Sequence, residues 1–348
     1  MNVSDVNISK LLIHYVGNKS HGENVRISKR KVNISDQSTH DKLKSFYFSP
    51  LLKLNEFFQF SHPSSLKFNE IYNYVTSVFE NESTFSNISS DIATHLFECS
   101  VHPKIKSGEL HLVYFKGIIV EEKELDALGI FKTETKIDFI KLNKDNSGYD
   151  IEFNEGINPF DGFDKGCLIL NVNKKEGYKI LIIDNQSKSQ EAQYWKDDFL
   201  NIKPCSDSYH HTKNYLNICK DFLSSQLPKD FEVTKAEQID LLNRSISYFK
   251  EADNFNEKDF TKTVLEQPEI IKSFKEFKQD FIEQNELDIE EQFDISASAV
   301  KKQTRIFKSV LKLDRNFHIY IHGDKDLIEK GIENNGRKFY KIYYDEES

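Results

Sequence analysis

An α+β fold, a mainly antiparallel sheet with flanking helices followed by an acidic helical subdomain and a C-terminal ββαβ unit, is predicted by three observations. The stretch Leu110–Leu142 holds three short apolar runs, rich in β-branched and aromatic residues, with the charged insert Glu121–Glu124 between them. Runs of that length are too short for buried helices and read as strand, turn, strand, strand in the middle of a sheet. Beyond Pro204 the apolar residues fall three and four apart on charged surfaces, which is the pattern of amphipathic helices. After Ser296 the pattern changes again, to a short helical stretch and then to strand-like alternation. The expected division is therefore residues 1–204, 205–295 and 296–348.

Taken in order, Ile8–Val16 and Val25–Ile34 read as strands, the second carrying Lys29, Arg30 and Lys31. Residues of Asp41–Phe60 show helical spacing broken near Ser49-Pro50, and further helices are expected over Phe68–Phe79 and Ser89–Phe97. The strand-rich block is followed by strands at Tyr149–Phe153, Cys167–Val172 and Tyr178–Ile183. The last two flank Asn173–Gly177, a turn whose glycine is placed to take positive φ. Helices are expected over His211–Leu227, Thr234–Glu251 and Glu269–Asn285, with Thr234 and Glu237 spaced as a capping box. A short helix from Ala297 to about Arg305 precedes a hairpin turning at Asp314-Arg315-Asn316. A helical turn at Asp326–Gly331 and a strand at Lys338–Tyr344 complete the chain.

Charge is distributed unevenly. The net charge is −9, but Asp230–Asp294 alone carries 18 acidic and 8 basic residues, so the remainder is close to neutral. Carboxylates such as Glu257, Asp259, Glu286, Asp288, Glu290 and Glu291 are expected on a solvated face of the helices. Within Ala299–Arg315 there are 6 basic residues, Lys301, Lys302, Arg305, Lys308, Lys312 and Arg315, against the single acid Asp314. Since affinity for nucleic-acid phosphates comes largely from Lys and Arg displacing counterions, that strip is the candidate contact surface, with Lys29, Arg30 and Lys31 as a second patch.

Motifs for other chemistry are incomplete. Gly17–Gly22 has the glycine spacing of a phosphate loop but continues Glu23-Asn24 where Lys and a hydroxyl are required, so it reads as a turn. On a strand, His318 and His322 would stand about 13 Å apart, too far to share a metal, and His210 and His211 would point apart. Four dispersed cysteines read as buried or incidental thiols. A metal-dependent nuclease site, Asp126 with Glu134 and Lys136, is the enzyme alternative, though such triplets arise readily in a chain that is 30% charged. The lone Trp195 reads as a core anchor rather than a base-stacking platform. No cofactor or metal is expected. The amino terminus lacks a basic segment followed by a sustained apolar one, and no run approaches the length of a membrane span, so a cytoplasmic protein is expected.

Three blocks, Leu110–Leu142, Ile180–Phe199 and Phe307–Gly323, together with the order of elements along most of the chain, resemble the bacterial nucleoid-associated protein family of the YejK or NdpA type. The resemblance implies a cytoplasmic, nucleoid-located, DNA-associated protein with no established chemistry. The functional expectation is then non-catalytic, low-specificity association with double-stranded DNA. A different reading is an adaptor whose acidic helices dock basic partners, among them other nucleoid or DNA-processing proteins. Self-association is compatible with either.

Overall fold

The apolar residues of the strands alternate between two opposite layers, and this gives the first part of the chain its architecture. In the computed structural model, residues 1–34, 36–184, 194–305, 307, 310–321 and 327–346 are described, and the chain divides into two units, Met1–Cys205 and Ser206–Ser348. The first contains β1 (Asn7–Val16), α1 (Gln37–Phe48), β2 (Phe58–Phe60), α2 (Glu70–Glu80), α3 (Phe85–Cys99), β3 (Gly108–Val120), β4 (Lys123–Thr133), β5 (Ile137–Lys144), β6 (Tyr149–Gly156), β7 (Lys165–Leu170), β8 (Lys179–Asp184) and β9 (Ile202–Pro204). Seven strands pair antiparallel in the order β1-β3-β4-β7-β8-β2-β9.

Leu112 lies opposite Leu12 on one side and Ile130 on the other, and Ile130 lies opposite Cys167. This layer packs on Ile71, Val75 and Val78 of α2 and on Ile92 and Leu96 of α3. The alternate layer, Val113, Phe115, Phe131, Leu168 and Leu181, packs on Phe46, Tyr47 and Phe48 of α1 and on Phe163. Two-sided burial is why β3 reads as an almost unbroken apolar run, since neither of its faces meets water. Tyr194–Leu200 forms a π-helical turn that places Trp195 and Phe199 in the first layer, their rings 4.8 Å apart. At the turn before β8, Gly177 has φ 104°, and a Cβ there would fall 2.4 Å from the Phe60 carbonyl oxygen.

Three elements differ from expectation. The third apolar run, Ile137–Leu142, lies in β5, which pairs only with β6 in a separate hairpin. The reason is local: past β4 the amides of Glu134 and Thr135 donate to Asp164 Oδ2 at 2.6 and 3.0 Å, which turns the chain away, while β7 takes the place beside β4. Residues of Val25–Ile34 do not form a regular strand. Arg26 pairs with Tyr15 and the Val32 amide with Leu11, so the segment between carries two residues more than the edge it follows and must loop out. In the second unit, residues 328–331 are extended rather than helical.

That second unit comprises α4 (Ser208–Asp221), α5 (Leu227–Asp230), α6 (Lys235–Glu251), β10 (Asn254–Asn256), α7 (Glu257–Phe260), α8 (Pro268–Gln284), β11 (Gln292–Asp294), α9 (Ala297–Thr304), β12 (Val310–Leu313), β13 (Phe317–Tyr320), β14 (Ile328–Ile332) and β15 (Lys338–Ile342). Its helices surround an aromatic core of Tyr215, Phe249, Phe255, Phe260, Phe274 and Phe293. The capping box forms: the Glu237 amide donates to Thr234 Oγ1 at 3.2 Å and the Thr234 amide to Glu237 Oε2 at 2.7 Å. Hairpin β12–β13 rests Leu311 against Ile239 of α6. β14 pairs with β15, with Gly331 opposite Phe339, because a strand at 338–342 needs a partner for its backbone and 328–332 supplies one.

Buried histidine makes the first unit acid-sensitive. His111 sits inside the sheet with Nδ1 3.0 Å from Tyr47 Oη, and burial holds it down to about 4 from 6.5. The fold therefore favours the neutral ring, a contribution that is complete above the unfolded pKa of about 6.5 and is lost as pH falls towards about 4. Unfolding free energy from denaturant titration should drop by about 3 kcal/mol across that window from this group, and His111→Gln should flatten that part of the profile.

Candidate nucleic-acid interface

Helix α9 is capped by Ser296, whose hydroxyl accepts the Ala299 amide, and it ends after two turns at Thr304, ahead of Phe307, which enters the core. Lys301 and Lys302 occupy its last turn, where cations are favoured by the negative end of the helix dipole, and both are exposed, as is Arg305. Lys301 and Arg305, four residues apart, share one face. They border a cavity of about 420 Å³ whose lining includes Phe249, Lys250, Asp253 and Val300. Lys312 lies opposite His318 in the following hairpin. Leu311 is buried and Leu313 packs beside it, so the period of two turns Lys312 to the other, exposed face. Arg315 is exposed at the hairpin turn, next to Asp314 with φ 51°. Lys308 lies outside the described residues.

Lys29, Arg30 and Lys31 project from the irregular loop that follows the β1 edge, where the Ser28 amide donates to His14 Nδ1 at 3.0 Å. They belong to the first unit, the others to the second. Among the described residues, neither patch forms ion pairs, whereas Lys10, Lys116, Lys136, Lys174 and Lys278 are each held by a carboxylate. Lys250 stands across the cavity from α9. Its place in an otherwise acidic stretch of sequence hides this, and only the packing of α6 beside α9 reveals it.

The triplet considered for nuclease chemistry does not assemble. Asp126, near the start of β4, accepts from Tyr114 Oη at 2.7 Å, while Glu134 lies beyond the far end, about 26 Å along the strand. Lys136 is engaged by Glu109 at 2.9 Å. Glu134 serves instead to neutralise Lys132, 2.8 Å away, in a site where Lys132 is 0% and Lys165 1% exposed. These lysines face each other across β4 and β7, and Lys165 has its own carboxylate in Asp184 at 3.0 Å. Burial pushes the Lys132 ammonium down, and Glu134 counters it.

Other candidates resolve as structure. Asn18, in the phosphate-loop-like turn, is buried and donates to the His102 and Ile105 carbonyls at 2.9 and 2.6 Å. Trp195 is fully buried and anchors the core. His210 and His211 are buried in α4, His318 is exposed, and His322 lies outside the described residues. The thiols of Cys167, Cys205 and Cys219 are buried, Cys99 is half-buried, and burial pushes Cys99 up to about 12. Among the described residues, no group of three His, Cys, Asp or Glu side chains could hold a metal ion, and no helix is long and apolar enough to cross a membrane.

The fold is that of an α+β protein, and its candidate site is a set of surface cations without ion pairs among the described residues. A family model described as nucleoid-associated protein YejK matches residues 12–337 of the 348, and the chain belongs to that family. No curated protein matches the chain significantly.

Replacing Glu134 tests its structural role. Glu134→Gln leaves the Lys132 charge buried without its counter-ion and should destabilise the first unit by about 3–5 kcal/mol in equilibrium unfolding. A loss below about 1 kcal/mol would show that water reaches Lys132.

Proposed function

We propose that this protein associates with double-stranded DNA through phosphate contacts, with little sequence preference and without catalysis. The observation that carries the reading is that Lys301, Lys302, Arg305, Lys312 and Arg315 are exposed and free of ion pairs among the described residues, in a chain of the nucleoid-associated YejK family. Phosphate contacts fix position without reading bases, and strand and helix-end lysines suit that role. Lys308 belongs to the same strip by sequence, and Lys29, Arg30 and Lys31 form a second set of contacts.

Neutralising about four to six phosphates should give a slope of roughly −4 to −5 for log affinity against log salt. The combined variant Lys301→Ala, Lys302→Ala, Arg305→Ala should make that slope shallower by about 2 to 3 and weaken binding to unrelated sequences alike. A flat salt response of the unaltered protein overturns the reading. Mg²⁺ or Mn²⁺ should elicit no cleavage of plasmid or single-stranded DNA, measured on gels.

A second role is supported by the acidic surface of the same unit. Glu276, Asp280, Glu283, Glu286, Asp288 and Glu290 are exposed on α8 and the segment after it, a surface that repels phosphate and suits a basic protein partner. Glu257, expected among such carboxylates, is instead buried against Lys278 and does not contribute. Changing Glu286, Asp288 and Glu290 to Gln or Asn should leave DNA affinity level or raise it. A fall in DNA affinity with the circular dichroism spectrum unchanged would reverse the roles of the two surfaces.

A further inference from the structure

The hairpin β5–β6 carries an apolar face that is left exposed among the described residues. Its register places Asp138 opposite Glu155, Ile140 opposite Phe153, Leu142 opposite Ile151 and Lys144 opposite Tyr149, so these four pairs share one face. The other face carries Lys141 paired with Glu152 at 3.6 Å and Asn143, which donates to Glu152 at 3.0 Å, with Ile137 and Phe139, 42% and 45% exposed, at its base. Along β6, Tyr149, Ile151 and Phe153 alternate with Asp150, Glu152 and Asn154, the pattern of a strand with one buried face. Yet Ile140, Leu142, Tyr149, Ile151 and Phe153 are 58%, 61%, 65%, 65% and 72% exposed. A lone two-stranded hairpin is also marginally stable in water, so a face of this kind calls for a cover.

We propose that the cover is the same face of a second copy of this chain, packed about a two-fold axis with the hairpins antiparallel. The charge pattern selects this occupant. From base to tip the face runs acidic, apolar, apolar, cationic: Asp138 and Glu155, then Ile140 and Phe153, then Leu142 and Ile151, then Lys144 beside Tyr149. A two-fold axis through its middle brings the Lys144 of each copy over the Asp138 and Glu155 of the other and sets the two apolar levels against each other. Self-complementarity of one patch is what an isologous dimer interface requires. Five side chains of this size, with their flanks, would bury about 500 Å² per copy, or about 1,000 Å² in all, which reaches the lower bound for a specific interface. None of its residues is among the cations assigned to DNA, so the inference does not rest on that assignment.

Sedimentation velocity on the full chain across the micromolar range tests it. The unaltered protein should sediment as a dimer, and the variant Ile151→Glu, Phe153→Glu as a monomer with its thermal midpoint retained, since both side chains are exposed. Lys144→Glu should weaken the dimer about tenfold, because the change is made twice per interface, and adding Asp138→Lys should restore it. A monomeric unaltered protein overturns the proposal, whether or not it then binds anionic lipid vesicles through this face. A dimer that survives Ile151→Glu, Phe153→Glu, or a Lys144→Glu defect that Asp138→Lys fails to repair, overturns it equally.

Discussion

Burial of β3 and β4 on both faces is the constraint on which the first unit depends. Each strand must present apolar residues in two directions, so helices α2 and α3 are required on one side and α1 with Phe163 on the other. The polar residues caught in this layer must then satisfy one another. Tyr47 meets His111, Tyr114 meets Asp126, and the facing pair Lys132 and Lys165 is neutralised by Glu134 and Asp184. Like charges opposed on neighbouring strands are unfavourable on their own, and each carboxylate is what makes its lysine tolerable there. Of the residues that suggest a nuclease triplet, Glu134 is in this way engaged by Lys132 and Asp126 by Tyr114.

The second unit follows a different plan, in which aromatic side chains from helices and from β10 converge on Tyr215 and charge is relegated to the outside. Its surface partly separates by sign: carboxylates gather from Asp280 at the end of α8 to Glu291 beyond it, cations at the end of α9 and on the hairpin after it. Such separation reconciles a net charge of −9 with a cationic strip, since local charge and not the total governs what approaches each surface.

What was legible in the sequence is what local pattern determines. The strands of Leu110–Thr133, the capping box at Thr234 and the end of α9 ahead of Phe307 all follow from spacing and from residue chemistry within one or two turns. What was not legible depends on distant partners. β5 leaves the main sheet because of Asp164, thirty residues downstream of Glu134. The Lys29–Lys31 segment loops out because of a mismatch against β1, which a single strand pattern does not encode. Residues 328–332 are short enough to suit helix or strand, and β15 decides. In the candidate interface, the exposed cations of α9 could be read from charge alone, but Lys250 joins them only through packing, and Glu257 is removed from the acidic surface by Lys278.

The margins of the seven-stranded sheet have a consequence for solubility. A free strand edge offers amides and carbonyls to any extended chain, and long flat edges seed cross-β aggregation. Here the outer margin of β1 is occupied by the irregular Arg26–Val32 segment, whose mismatch prevents a further strand from continuing in register. The opposite margin, β9, has three residues and ends in Pro204, which has no amide to donate. The loop that carries Lys29, Arg30 and Lys31 thus doubles as a gatekeeper: the residues that cannot lie flat against β1 also keep the most apolar sheet of the protein from templating its own polymerisation.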